Sequence, residues 1–161
     1  MKGAMVAHPL VRISTGYSSL EITIAAFLMV VFSAIGIDLS LIMLGMSLND
    51  SACRDAARAA AQTSTQSNAI KAAQSQLQVH GTDGYWISQP TLRSTSAPYF
   101  VYQDFGGNPP ANTSPYVTVT TTVNIRCPAP IFFFGTQFMV NGTIQFNRQY
   151  TFPIIKLNFY G

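Results

Sequence analysis

At 161 residues the chain has room for one modest domain plus an extended element, not for two full domains. Only 9% of its residues are charged, against roughly 25% in ordinary soluble domains, and Ser, Thr, Asn and Gln supply the polarity instead. The net charge is +3, or +1 without residues 1–16 (seven Lys/Arg against six Asp/Glu), and no basic patch is interleaved with aromatics, which sets nucleic acid aside as a partner.

Residues 1–16 read as a leader that carries Lys2 and Arg12 and no acid. The leader runs into Gly16-Tyr17-Ser18-Ser19-Leu20-Glu21. This motif sets a small residue, a candidate cut between Gly16 and Tyr17, and a carboxylate at the fifth position past that cut at the mouth of an apolar run. From Ile22 to Ile37 no residue is charged, and beyond Asp38 the apolar sequence continues to Leu48. Residues 22–48 predict about 40 Å of helix, enough to cross a bilayer with some tilt. The cations ahead of it predict an N-terminus-in orientation. A cleaved secretory signal fits poorly, because the run is too long and is interrupted by Asp38. A lipid anchor at Cys53 is excluded, since Asp50 stands where an aliphatic residue is required.

Two carboxylates flank this segment. Glu21 reads either as a solvated interfacial group or as one neutralised by an amine, its own at Tyr17 after cutting or a neighbouring subunit's. Asp38, about 25 Å further up the helix, reads as an interfacial residue or a polar contact between packed helices. Ser33, Gly36, Ser40, Gly45 and Ser47 are small enough for close helix approach.

The helix is expected to continue through Asn49 and the Ala/Arg-rich Ala52-Cys53-Arg54-Asp55-Ala56-Ala57-Arg58-Ala59-Ala60-Ala61. After a break at residues 63–67, Ser67 is the expected N-cap of a second helix ending near His80-Gly81, with Ile70, Ala73, Leu77 and Gln74 on its docking face. Beyond Gly81, four β-prone stretches follow: Tyr85–Ile87, Tyr99–Tyr102, Tyr116–Ile125 and Gly142–Ile155. The third alternates apolar and polar residues, which predicts a strand with one buried face. The expected fold class is α+β, with four antiparallel strands packed on a helical layer. Its divisions are a leader at 1–16, a long helix at 17–62, a linker and second helix at 63–82, and a β-rich extracytoplasmic domain at 83–161.

Cys53 and Cys127 both fall past the apolar run, which leaves two readings: one disulfide in an oxidising compartment, or two unpaired small apolar side chains. Ile131-Phe132-Phe133-Phe134 with Phe138-Met139-Val140 is either core or an exposed aromatic surface. Asn49, Asn112 and Asn141 each begin an N-x-S/T triplet, a pattern that arises by chance in a chain this rich in Thr and Asn. Catalysis has no evident machinery. His8 lies in the leader, His80 at a helix end, the six carboxylates are scattered, and two Cys with one His do not close a zinc site. No enzyme activity, cofactor or metal is expected.

Gly16-Tyr17-Ser18-Ser19-Leu20-Glu21, the apolar helix and the Ala52–Ala61 segment together resemble the TadE/TadF/TadG-like pseudopilins of tight-adherence (Flp-type) pili. The likeness covers residues 12–80; the strand ending Cys127-Pro128-Ala129-Pro130 is similar in a less specific way. The resemblance implies cutting after Gly16 by a prepilin peptidase, with Glu21 guiding recognition or assembly. It implies an inner-membrane precursor, an assembly platform driven by an ATPase, and a filament made of this chain or of other pilins. Ile22 stands where the family commonly has an aromatic, and the small major Flp pilins lack so large a C-terminal region, which favours a minor role. The competing expectation is an uncleaved single-pass protein whose outer domain binds a partner.

Overall fold

The computed structural model describes residues 15–128, 132–133, 136–137 and 142–155. The fold is α+β. Helix α1 spans Thr15–Ala61 and α2 Gln66–Val79. Strands β1 (Thr91–Leu92), β2 (Phe100–Gln103) and β3 (Tyr116–Arg126) follow, then a short pair, β4 (Phe132–Phe133) and β5 (Thr136–Gln137), and finally β6 (Thr143–Pro153). Two compact units are distinguished, Met1–Ala34 and Ile35–Gly161, and α1 contributes residues to both.

Strand β3 is the spine of the sheet. Along one edge it pairs antiparallel with β6 over its full length, from Tyr116↔Pro153 to Arg126↔Thr143. Its other edge is shared by β2 (Phe100↔Val119), β1 (Thr91↔Thr122) and a single bridge, Ile87↔Ile125. The expected strand at residues 85–87 therefore shrinks to that bridge, and β1 takes a place that no apolar run announces. Its two residues are held by the exposed edge of β3 rather than by their own pattern.

Val117, Val119, Thr121, Val123 and Ile125 are buried on the face turned to α1, as the alternation predicts. Thr118 and Thr120 on the opposite face are buried too, so the one-sided expectation needs correcting. A strand flanked along both edges is shielded by its neighbours, and Thr118 Oγ1 lies 2.9 Å from Thr151 Oγ1 across the β3–β6 pair.

Helix α2 starts two residues earlier than the Ser67 cap would give. Thr65, in extended conformation, is the N-cap, and its hydroxyl accepts from the Asn68 N–H at 3.4 Å. Ala69, Ala73 and Leu77 are buried one turn apart with Ile70 packed beside them, while Gln74 is exposed. They join Ala52, Ala56, Ala57, Ala60 and Ala61 of α1 against Phe100, Val117 and Val119 in the main core. Tyr102 Oη, which donates to the Thr63 carbonyl at 2.8 Å, ties the turn between the helices to the sheet.

Candidate membrane and assembly surface

In α1 the side chains from residue 19 to residue 30 are all exposed, among them Leu20, Ile22, Ile24, Phe27, Leu28, Met29 and Val30. A helix with such large apolar groups on every side is not shaped for water. Three of its hydroxyls are satisfied within the helix: Thr23, Ser33 and Ser40 donate to the carbonyls four residues back, of Ser19, Met29 and Gly36, at 2.7–2.8 Å. That back-bonding is how hydroxyls are accommodated in an apolar medium. By length and hydropathy α1 is a candidate membrane anchor. Gly16 and Tyr17 lie in its first turn, and Glu21 is exposed among the apolar side chains.

Further along, the same helix acquires a buried stripe. Asp38, Gly45, Asn49, Ala52, Cys53, Ala56, Ala57, Ala60 and Ala61 are buried, at intervals that keep them on one face. All but Asp38 and Asn49 are small, which lets the helix backbone come close to the sheet. At Gly45 the approach is closest: a Cβ there would collide with Ile125 Cδ1 and stand 2.7 Å from its Cγ1. Gly45 therefore serves helix–sheet contact within the chain, whereas a Cβ at Gly36 would meet open space. One turn on, Asn49 is completely buried. It accepts from Thr121 Oγ1 at 2.8 Å and donates to the Phe146 carbonyl at 3.2 Å. No sugar can be attached to so enclosed an amide, which removes the first N-x-S/T triplet. Asn141 and most of the Ile131–Val140 aromatic segment lie outside the described residues; of that segment only the β4–β5 backbone is described.

Asp38 also departs from expectation. Its side chain is 0% exposed, enclosed by its own unit close to Cys127, rather than offered to the membrane interface or to a neighbouring helix. The residues from Asp38 to Leu48 thus belong partly to a docked helix, and the freely exposed apolar run ends near Ile37. Sequence reading missed this because a stripe buried in a protein and a surface buried in lipid are both apolar. The signal was the small-residue spacing Gly45, Asn49, Ala52, Ala56, Ala60.

The two cysteines are free thiols. Cys53 Sγ lies 3.3 Å from the Arg148 carbonyl and 3.4 Å from that of Val119, against the middle of β3. Cys127 lies six residues beyond Thr121, about 20 Å along the strand, whereas a disulfide needs Cα atoms within about 7 Å. The Cys53–Cys127 bond is therefore corrected to two separate buried thiols. Burial pushes the Cys53 thiol up from its ordinary pKa, against hydrogen bonding at Thr121. Burial, and secondarily Asp38, pushes Cys127 up.

On the outer side of α1, Asp50 gathers three partners. Arg54 donates to it at 3.0 Å, Tyr150 Oη at 2.9 Å, and Arg148 Nε lies at 3.6 Å. These tie α1 to β6. His80 is the C-cap residue of α2, with Nε2 3.4 Å from Asp55 Oδ2. Among the described residues no three His, Cys, Asp or Glu side chains gather as metal ligands. No family model, curated protein or solved structure matches this chain.

Proposed function

We propose that this chain is a pilin-like structural subunit, minor or major, of a Tad/Flp-type filament used for surface attachment. Residues 1–16 are removed by a prepilin peptidase. The exposed apolar part of α1 holds the precursor in the inner membrane with its N-terminus inside, and later packs among other subunits in the filament. Glu21 is neutralised there by the N-terminal amine of a neighbour. The β-rich part is displayed outside, and the chain is neither an enzyme nor a nucleic-acid binder.

The observation that carries this reading is the double character of α1. One stretch exposes large apolar side chains on all sides, while the stretch after it is docked through small residues onto a folded sheet. An element that must leave lipid for protein gains from being apolar all round, because both environments reward the same surface. The test is composition of the filament. Filaments sheared from the source cells and identified by peptide mass should contain this chain, and its restriction to the membrane fraction would favour the single-pass alternative.

A further inference from the structure

Beside the stretch of α1 that follows Asp38, the residue 81–87 turn leaves an apolar groove of about 560 Å³, lined by Leu41, Leu44, Leu48, Trp86 and Ile87 with Asp83 at its rim. The turn is firmly shaped. Asp83 accepts the Trp86 N–H at 3.1 Å and the Ile87 N–H at 3.0 Å, and these bonds, Ile87's first, hold its carboxyl below the usual range. The turn presents Tyr85, 60% exposed, edge-on to Trp86 with ring centroids 4.8 Å apart. The Arg126 guanidinium lies 4.8 Å over the Tyr85 ring. Trp86 and Leu41 both pack on the small cluster of Ile87, Val123 and Ile125, and both line the groove, whose α1 wall begins at the height of Leu41.

That height is informative. Ser19 to Ile37 is 19 residues of α1, about 28 Å, close to the roughly 30 Å of a bilayer's hydrocarbon core. Leu41 follows by four residues, about 6 Å, which is the depth of the headgroup layer. Trp and Tyr concentrate in that layer, where an apolar ring body and a polar edge are both satisfied, and arginine there meets lipid phosphate. The apolar surface is continuous with it: Ile37, Leu39, Met43 and Leu44 are all about half exposed or more. Of the two acids at this level, Asp38 is hidden inside the protein, and exposed Asp83 spends both carboxylate oxygens on the Trp86 and Ile87 N–H groups.

We infer that Tyr85, Trp86 and Arg126, with the Leu41–Leu44 groove, form a collar that seats the domain in the outer headgroup layer of the bilayer holding the precursor. The occupant is lipid: glycerol and upper acyl carbons in the groove, phosphate at Arg126. This rests on the membrane-anchored precursor proposed above. It adds that the folded domain, and not the helix alone, contacts lipid, so that leaving the membrane must also strip lipid from this groove.

Trp86 is the chain's single tryptophan, which makes it a reporter without mutation. The full chain is reconstituted into phosphatidylcholine–phosphatidylglycerol vesicles, and flotation with alkaline extraction first establishes whether α1 is inserted. Trp86 emission is then read with lipids brominated near the headgroup end of the acyl chain or near its tip. The collar predicts strong loss of emission with the shallow label, weak loss with the deep one, and little quenching by aqueous iodide. In Arg126→Gln the shallow quenching should weaken, and lose its dependence on phosphatidylglycerol. An inserted chain whose Trp86 ignores both labels and is freely quenched by iodide overturns the collar alone. Emission that ignores both labels but is shielded from iodide only at high protein-to-lipid ratio assigns the groove to a second copy, and also overturns it. Failure to float overturns the anchored precursor itself.

Discussion

Thr121 Oγ1 donates a 2.8 Å hydrogen bond to Asn49 Oδ1, and both residues are wholly buried, Asn49 on α1 and Thr121 at the centre of β3. The amide also donates to the Phe146 carbonyl on β6. Among alanines and valines this pairing fixes which turn of the helix faces which residue of the sheet. Apolar contacts alone would tolerate sliding. Thr121→Val leaves the Asn49 oxygen unpartnered and should cost about 1–3 kcal/mol in chemical denaturation. Adding Asn49→Leu to Thr121→Val should cost less than the sum of the two single changes, because neither polar group is then stranded. Strict additivity would show that the pair is not coupled.

Gly45 tests the close approach of helix to sheet. In a free helix Gly→Ala stabilises by about 1 kcal/mol. Here the added methyl meets Ile125, so Gly45→Ala should destabilise by about 1–3 kcal/mol through overpacking. Ile125→Val, which removes the atom in the way, should recover part of that loss. A melting temperature raised by Gly45→Ala would mean that α1 is not seated on β3 as described.

The thiols predict both chemistry and pH dependence. In the native, unreduced protein no mass change should follow reduction, and maleimide labelling should be slow until denaturant exposes two thiols. For linkage, a thiol pKa raised by folding leaves stability untouched below the unfolded value, about 8.5. Stability is then lost as pH rises past that value towards the folded one, since the unfolded chain releases its proton first. Cys53→Ala should flatten this alkaline decline measured by denaturation, and an unchanged slope would count against burial of Cys53.

In the proposed filament Glu21 bears on assembly rather than on folding, since it is exposed in the single chain. Glu21→Ala should leave the stability of the 35–161 unit unchanged and cut incorporation into filaments roughly ten- to hundredfold, the worth of a hydrogen bond to a charged group. Glu21→Asp should fall between. Wild-type incorporation of Glu21→Ala would remove the proposed pairing with a neighbour's amine.

Much of the fold was legible where pattern and length agreed. The long apolar run is read from its length, the Ala-rich continuation from helix propensity, and the α2 face at Ala73 and Leu77 and the β3 strand from their periods. Strand β1 was not legible, because two residues have no period and owe their conformation to the edge of β3. The change from exposed to docked helix near Asp38 was hidden, since hydropathy does not separate lipid from protein interior. Cys53 and Cys127 stayed open between a disulfide and two separate thiols because sequence carries no distance. Asn49, placed by its sequence only on the continuing helix and in a chance N-x-S/T triplet, is a core amide, and that follows only when Thr121 and Phe146 stand opposite it.

The central claim is that α1 begins its working life after a cut and is not a permanent anchor preceded by residues 1–16. Intact mass and N-terminal sequence of the chain recovered from its source cells decide it. Processing predicts a chain that starts at Tyr17, with residues 1–16 gone. A membrane-bound chain that keeps Met1 through Gly16 would contradict it.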